Sequence, residues 1–322
     1  MIEKMSTVSA PSEHAIWTAS LGKAYRIGFW RRRVDALRDL TLQVRAGEVF
    51  GYLGPNGAGK STTIKLLLGL VQPTAGEAYV LGRPAGDASA RRHIGFLPEN
   101  PSFYEYLTGQ EFLTYCGRLL GIARPRLREQ IRDLLREVGL ERAAHQQIRK
   151  YSKGMVQRLG LAQALLGDPK LLILDEPMSG LDPIGRKEVR DLILRQKAAG
   201  RTVFFSTHIL PDVEMICDCV GILVDGRLVR TGPVNDLLGG DLESIEVTAV
   251  AVPEPVTHEV EGLALQPGLR QGDRVTFRLK GEAELQKVLP VLVQAGSQVL
   301  SVVPQRRSLE EIFLAASREA KQ

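Results

Sequence analysis

The sequence predicts an α/β protein built on a parallel sheet, followed by a small α+β unit, and three observations carry that prediction. Two continuous apolar runs, Leu171-Leu172-Ile173-Leu174 and Thr202-Val203-Phe204-Phe205, have the length and hydrophobicity of strands buried on both faces. A third apolar run, Glu48 to Leu53, leads into a glycine-rich loop and then a helical pattern, the alternation expected of strands joined by crossover helices. Past Gly239-Gly240 the pattern changes to short strands and helices in mixed order, so a second, smaller unit is expected there.

Taken in order, Met1 to Glu13 reads as a frayed leader, polar and without the apolar stretch of a secretion signal. Ala15 to Leu21 and Leu40 to Val44 read as strands joined through a basic turn at Arg31 to Arg33. Ser61 to Leu70 places Ile64, Leu67 and Leu68 on one helical face. From about Pro101 to Leu166 the pattern is helical; Ile131, Leu134, Leu135 and Val138 keep helical spacing up to Gly139, a helix-stop residue. Pro183 to Ala199 is a helix closed by Gly200, and Asp225-Gly226 is a hairpin turn between Val220–Val224 and Arg227–Arg230. In the second unit, strands are expected at Ser244–Val250, Arg274–Leu279 and Gln298–Val303. A loop is expected at Pro253 and Pro255, a helix over Glu282–Ala295, and a closing helix capped at Ser308-Leu309-Glu310-Glu311.

Composition narrows the classes. The net charge of +5 over 322 residues fits a nucleic-acid binder, a protein near anionic lipid or an arginine-rich solvated surface. The three cysteines, Cys116, Cys217 and Cys219, form no disulfide framework, and free thiols in a reducing compartment are expected. No apolar run approaches the roughly 20 residues that span a bilayer. A membrane connection is therefore expected to run through a partner.

The chemistry concentrates in two places. Gly54-Pro55-Asn56-Gly57-Ala58-Gly59-Lys60-Ser61 matches the phosphate-loop pattern G-x-x-x-x-G-K-[ST], between a strand and a helix. Its glycines let backbone N–H groups turn inward around phosphates, and the helix start adds partial positive charge. Lys60 would reach the β- and γ-phosphates, and the Ser61 hydroxyl, beside Thr62, would ligate Mg²⁺. The apolar run ending in Asp175-Glu176 would deliver one carboxylate to the Mg²⁺ shell and a second to orient and deprotonate the attacking water.

With those residues in view, the chain resembles the nucleotide-binding subunit of an ATP-binding cassette (ABC) transporter, in order from about Ala15 to Gly240. Tyr151-Ser152-Lys153-Gly154-Met155 sits at that family's signature position, Ser179-Gly180-Leu181-Asp182 resembles its D-loop, Ser206-Thr207-His208 resembles its switch histidine, and Tyr25 is placed like the aromatic that stacks on adenine. The resemblance implies a P-loop NTPase fold with an ABC-type nucleotide-binding domain over residues 14–240. Its helical subdomain would cover about 100–166, and a small α+β domain would follow over 241–322. It implies ATP and Mg²⁺ as cofactors, Glu176, His208 and Lys60 as catalytic groups, and Ser152 and Gly154 as contacts to the nucleotide of a second copy. A head-to-tail dimer on the cytoplasmic face of the membrane, beneath a separately encoded integral membrane permease, is implied with them.

Two departures stand out. Tyr151, Lys153 and Met155 replace the Leu, Gly and Gln of the usual Leu-Ser-Gly-Gly-Gln signature; Lys153 either adds charge near the γ-phosphate or faces solvent. Glu99 replaces the family's glutamine, and a carboxylate can still meet Mg²⁺ or its water but accepts hydrogen bonds without donating them. Both variants, and the small final unit, resemble the type-two exporter branch. Phe103-Tyr104-Glu105-Tyr106-Leu107 reads either as packing of the helical subdomain or as a docking surface for a membrane partner. The competing reading, a soluble ABC ATPase acting on nucleic acid or ribosomes, rests on net charge alone; nucleic acid is not an expected partner.

Overall fold

The structure is a computed structural model that describes residues 13–28, 32–238, 242–306 and 309–313. It divides into two compact units, one reaching Val234 and one starting at Asn235. The leader up to residue 12, Arg31, Gly239-Gly240 and Ser308 lie outside the described residues.

The strands of the first unit, in chain order, are β1 (His14–Ile27), β2 (Arg32–Arg45), β3 (Val49–Leu53), β4 (Ala75–Val80), β5 (Arg83–Pro84), β6 (Ile94–Leu97), β7 (Leu171–Asp175), β8 (Thr202–Thr207), β9 (Cys219–Val224) and β10 (Arg227–Pro233). They form two sheets. One is antiparallel, in the order β2-β1-β4-β5, and the other runs β10-β9-β3-β8-β7-β6. In the second sheet β9, β3, β8, β7 and β6 are mutually parallel, as the apolar runs predict, and β10 is the antiparallel edge. Every residue of β3, β7 and β8 is buried. The core between the sheets joins Ile16, Leu40 and Leu42 to Phe50, Ile64, Ile173 and Phe204. Phe50 stacks on Phe204 with ring centroids 5.8 Å apart.

The first hairpin is longer than its apolar runs suggest, because polar residues continue both strands once Leu21, Leu40 and Val44 have fixed the buried face. Arg32 and Arg33, expected in a turn, open β2 and stand exposed. The helix after the glycine-rich loop spans Lys60–Leu67 and buries Ile64 and Leu67. Helices follow at Gly109–Leu119, Arg124–Glu137 and Lys153–Leu165, then at Pro183–Ala198. The tight turn between β9 and β10 has Asp225 and Gly226 at φ +46° and +78°, the left-handed pair a two-residue hairpin requires.

The second unit is a split βαββαβ arrangement. Strands β11 (Leu242–Val250), β12 (Ala264–Gln271), β13 (Arg274–Leu279) and β14 (Gln298–Arg306) pair in the order β12-β13-β11-β14. Helices Glu254–Glu261 and Glu282–Gln294 supply Val260, Val288 and Leu292 to a core with Val247, Phe277 and Leu279. Two expectations fail here. The loop at Pro253 and Pro255 is a helix start, since proline fits the first turn, where no intrahelical N–H bond is lost. The strand β12 was hidden by Pro267-Gly268, tolerated because β12 is a sheet edge with shifted register there. Residues 309–313 are helical.

Candidate functional site

Strand β3 is gripped on both sides by parallel neighbours, so the chain leaves its carboxyl end at a fixed point and turns at once through the loop. Gly57 and Gly59 adopt φ of +82° and +109°. At Gly59 a β-carbon would stand 2.5 Å from the Ala36 carbonyl oxygen of β2, so only glycine lets the two backbones pass. Gly59 also caps the helix without a side-chain bond, leaving the first N–H groups of Lys60–Leu67 directed at the loop. The loop encloses a cavity of about 300 Å³ lined by Ala36, Pro55, Asn56, Gly57, Gly59 and Lys60, with Ser61, Thr62, Glu99 and Glu176 completing the wall.

Charge is buried at the base of this cavity. Lys60 is 7% exposed, and its Nζ donates to the Gly54 carbonyl at 2.7 Å. Glu176 Oε1 stands 3.3 Å from that ammonium, an ion pair between two buried side chains, yet accepts no hydrogen bond. Its other oxygen, Oε2, accepts from His208 Nδ1 at 3.0 Å. Lys60, Glu176 and His208 thus form one charged line beside the phosphate loop.

Strand pairing sets that geometry. Asp175 is the last residue of β7 and lies opposite Ser206 of β8. Ser206 Oγ donates to Asp175 Oδ1 at 2.5 Å and accepts the Glu176 N–H at 3.0 Å, so one hydroxyl fixes both acidic residues. Glu176 holds φ at +50°, a region costly for a side-chain-bearing residue. Such strain persists where neighbours over-determine it, and here they do.

The signature forms a different cavity. Ser152 caps the helix Lys153–Leu165, its hydroxyl accepting from Met155 N at 3.3 Å. Ser152 and Gly154 line a cavity of about 260 Å³ with Gly180, Leu181, Asp182 and Ile184 of the D-loop segment. No residue is shared between the two cavities.

Comparison with known proteins agrees with this geometry. The family model described as "ABC transporter" matches residues 37–179. An ABC transporter ATP-binding protein of Nostoc is 43% identical over 97% of this chain and 91% of its own length. The chain belongs to the ABC transporter ATP-binding proteins. A bacitracin transport ATP-binding protein of Bacillus licheniformis is 38% identical, with 85% of this chain and 90% of the relative covered. A solved ATP-binding subunit of an ABC transporter is 35% identical with a TM-score of 0.62, over 69% of this chain and 91% of that one. A dimeric ATP-binding cassette in a post-hydrolysis state, bound to ADP and Pi, is 25% identical with a TM-score of 0.63, over 68% and 99%.

This ABC ATP-binding subunit is therefore an ATPase, and relatives named for transport displace the nucleic-acid alternative. Of the residues singled out in the sequence, the structure gathers Pro55 to Gly57, Gly59 to Thr62, Glu99 and Glu176 around one cavity. Gly54, Ala58 and Asp175 are buried and do not line it. Tyr25, on β1, does not line it; its ring lies 5.1 Å from Lys23 Nζ. Ala36 escaped the sequence reading, its one trace being the glycine at 59 that lets β2 approach. The signature's Tyr151 has a structural reason: its hydroxyl donates to the Ala143 carbonyl at 2.7 Å, and Gly109 leaves room for it. Burial raises the Tyr151 phenol above its ordinary pKa, so it remains a donor. Lys153 is exposed and lies along Gly180 of the D-loop. Among the described residues no helix is long and apolar enough to cross a membrane.

Proposed function

We propose that this chain is the energising subunit of an exporter, working as a head-to-tail pair beneath a separately encoded membrane permease. The observation that carries the reading is Glu176, buried between Lys60 and His208, with Oε1 against the phosphate-loop lysine and accepting no hydrogen bond. ATP phosphates entering the cavity compete for the Lys60 ammonium and draw it from Glu176 and the Gly54 carbonyl. Glu176 is then free to accept a proton from a water aligned on the γ-phosphate, and His208 holds the carboxylate by its second oxygen. Tyr25 offers a face for adenine outside the phosphate cavity.

The donor set fits Mg²⁺: a hydroxyl at Ser61 and carboxylates at Asp175 and Glu99 are hard oxygen ligands beside a phosphate loop. Bound there, the ion would neutralise charge on the β- and γ-phosphates. Ser152 and Gly154 face outward in their own cavity, and a second copy would bring them over the open side of the loop. Residues 14–240 make the ATP-binding domain in this reading, with about 100–166 as its helical subdomain.

The aromatic stretch splits between its two expected uses. Phe103 packs on Phe112 with ring centroids 4.4 Å apart, while Tyr104 and Tyr106 stand 51% and 68% exposed beside Tyr115. That exposed tyrosine cluster follows Glu99 directly and supports docking of a permease's cytoplasmic segment. Relatives named for bacitracin transport and fluoroquinolone export support the export direction. The test is purification from detergent-solubilised membranes of the host. A multi-spanning protein should co-purify with the native chain and be lost from a Tyr104→Ser/Tyr106→Ser variant; a native chain that brings down RNA and no membrane protein contradicts the proposal.

A further inference from the structure

The strained turn at Glu176 is pinned from two sides. On one side Ser206 accepts the Glu176 N–H, through Oγ at 3.0 Å and through its carbonyl at 3.2 Å, and Ser179 N closes the turn on the Glu176 carbonyl at 3.0 Å. On the other, the buried carbonyl of Pro177 accepts from Gln157 Nε2 at 3.0 Å. Gln157 is 3% exposed and sits on the signature helix, one turn after Lys153. It lines neither cavity, so it is placed to touch neither nucleotide.

The surroundings make this contact a linkage. The same helix lays Lys153 along Gly180 and pairs Arg158 with Glu188 at 3.2 Å, so it meets the segment after Glu176 at three successive points. Gln157 is the point next to the carboxylate, and the only one of the three that is buried. A polar side chain is kept at such a position when its hydrogen bond is made, because a lost partner leaves a buried carbonyl unsatisfied.

We propose that Gln157 is a positioning residue for Glu176: its amide holds the Pro177 carbonyl, sets the left-handed turn that aims the carboxylate, and ties that aim to the helix bearing Ser152 and Gly154. The inference rests on the reading of Glu176 as the base.

Two substitutions in the full-length protein test it. Gln157→Glu keeps the shape but replaces the donor with an acceptor, and Gln157→Met keeps the volume without a polar group. Each is assayed for kcat and KM of ATP hydrolysis, direct ATP binding and thermal transition. The expected result is a kcat lower by about 10- to 100-fold, the scale of a small misplacement of a reacting group, with KM and ATP affinity unchanged. If one substitution prevents folding, the other decides. A folded variant with the parent kcat overturns the inference, and so does an equal loss of affinity and kcat, which marks general damage. Glu176→Gln separates the two layers. If it hydrolyses ATP at the parent rate, the base reading falls; if it is inactive while both Gln157 variants match the parent, only the positioning role falls.

Discussion

The two cavities of the ATP-binding unit have similar size and opposite character. The phosphate-loop cavity is built from buried charge and strained backbone: Lys60 and Glu176 face each other at 3.3 Å, and Gly57, Gly59 and Glu176 all hold positive φ. The signature cavity is built from a helix start and a loop, with Ser152 and Asp182 exposed and Ile184 70% exposed. Unpaired burial of the first cavity's two charges would be costly, and Lys60 and Glu176 are held by each other, by the Gly54 carbonyl and by His208. The second cavity carries no such constraint. One is prepared for chemistry, and the other is a surface left for something to close upon.

Substitutions in the two cavities should separate them by size of effect. Glu176→Gln should lower kcat by about 10²- to 10⁴-fold, the range for a removed general base, while ATP titration gives the parent affinity. Lys60→Ala should weaken ATP binding by about 10- to 100-fold, from loss of charge-assisted hydrogen bonds, as read by direct titration. The signature cavity should respond more weakly, and in turnover alone. Ser152→Ala removes the helix cap, worth about 1 kcal/mol, and should lower kcat by about fivefold without changing ATP affinity of the isolated chain. Loss of affinity there would mean that the two cavities are not separate. Smallest of all, Tyr151→Phe deletes the bond to the Ala143 carbonyl and should cost about 1 kcal/mol of unfolding free energy, with ATP affinity unchanged.

Most of this was readable in the sequence because it lives in local pattern. The loop's glycines, the apolar runs Leu171–Leu174 and Thr202–Phe205, and the Asp225-Gly226 turn each state their own conformation. What escaped depends on distant partners. Ala36 reaches the cavity because β2 crosses Gly59, and no property of alanine announces that. The Tyr151 substitution makes sense only with Ala143 and Gly109 in place. In the second unit Pro253 and Pro255 read as a loop yet open a helix, and the strand β12 that carries Pro267 was not expected at all. Local chemistry was the same in each case, and tertiary position decided its meaning.

If a second copy completes the ATP site, ATP should hold two chains together. Light scattering on Glu176→Gln should give the mass of a monomer with ADP and twice that mass with saturating ATP and Mg²⁺. A monomer mass that persists when titration shows ATP bound would contradict the shared site.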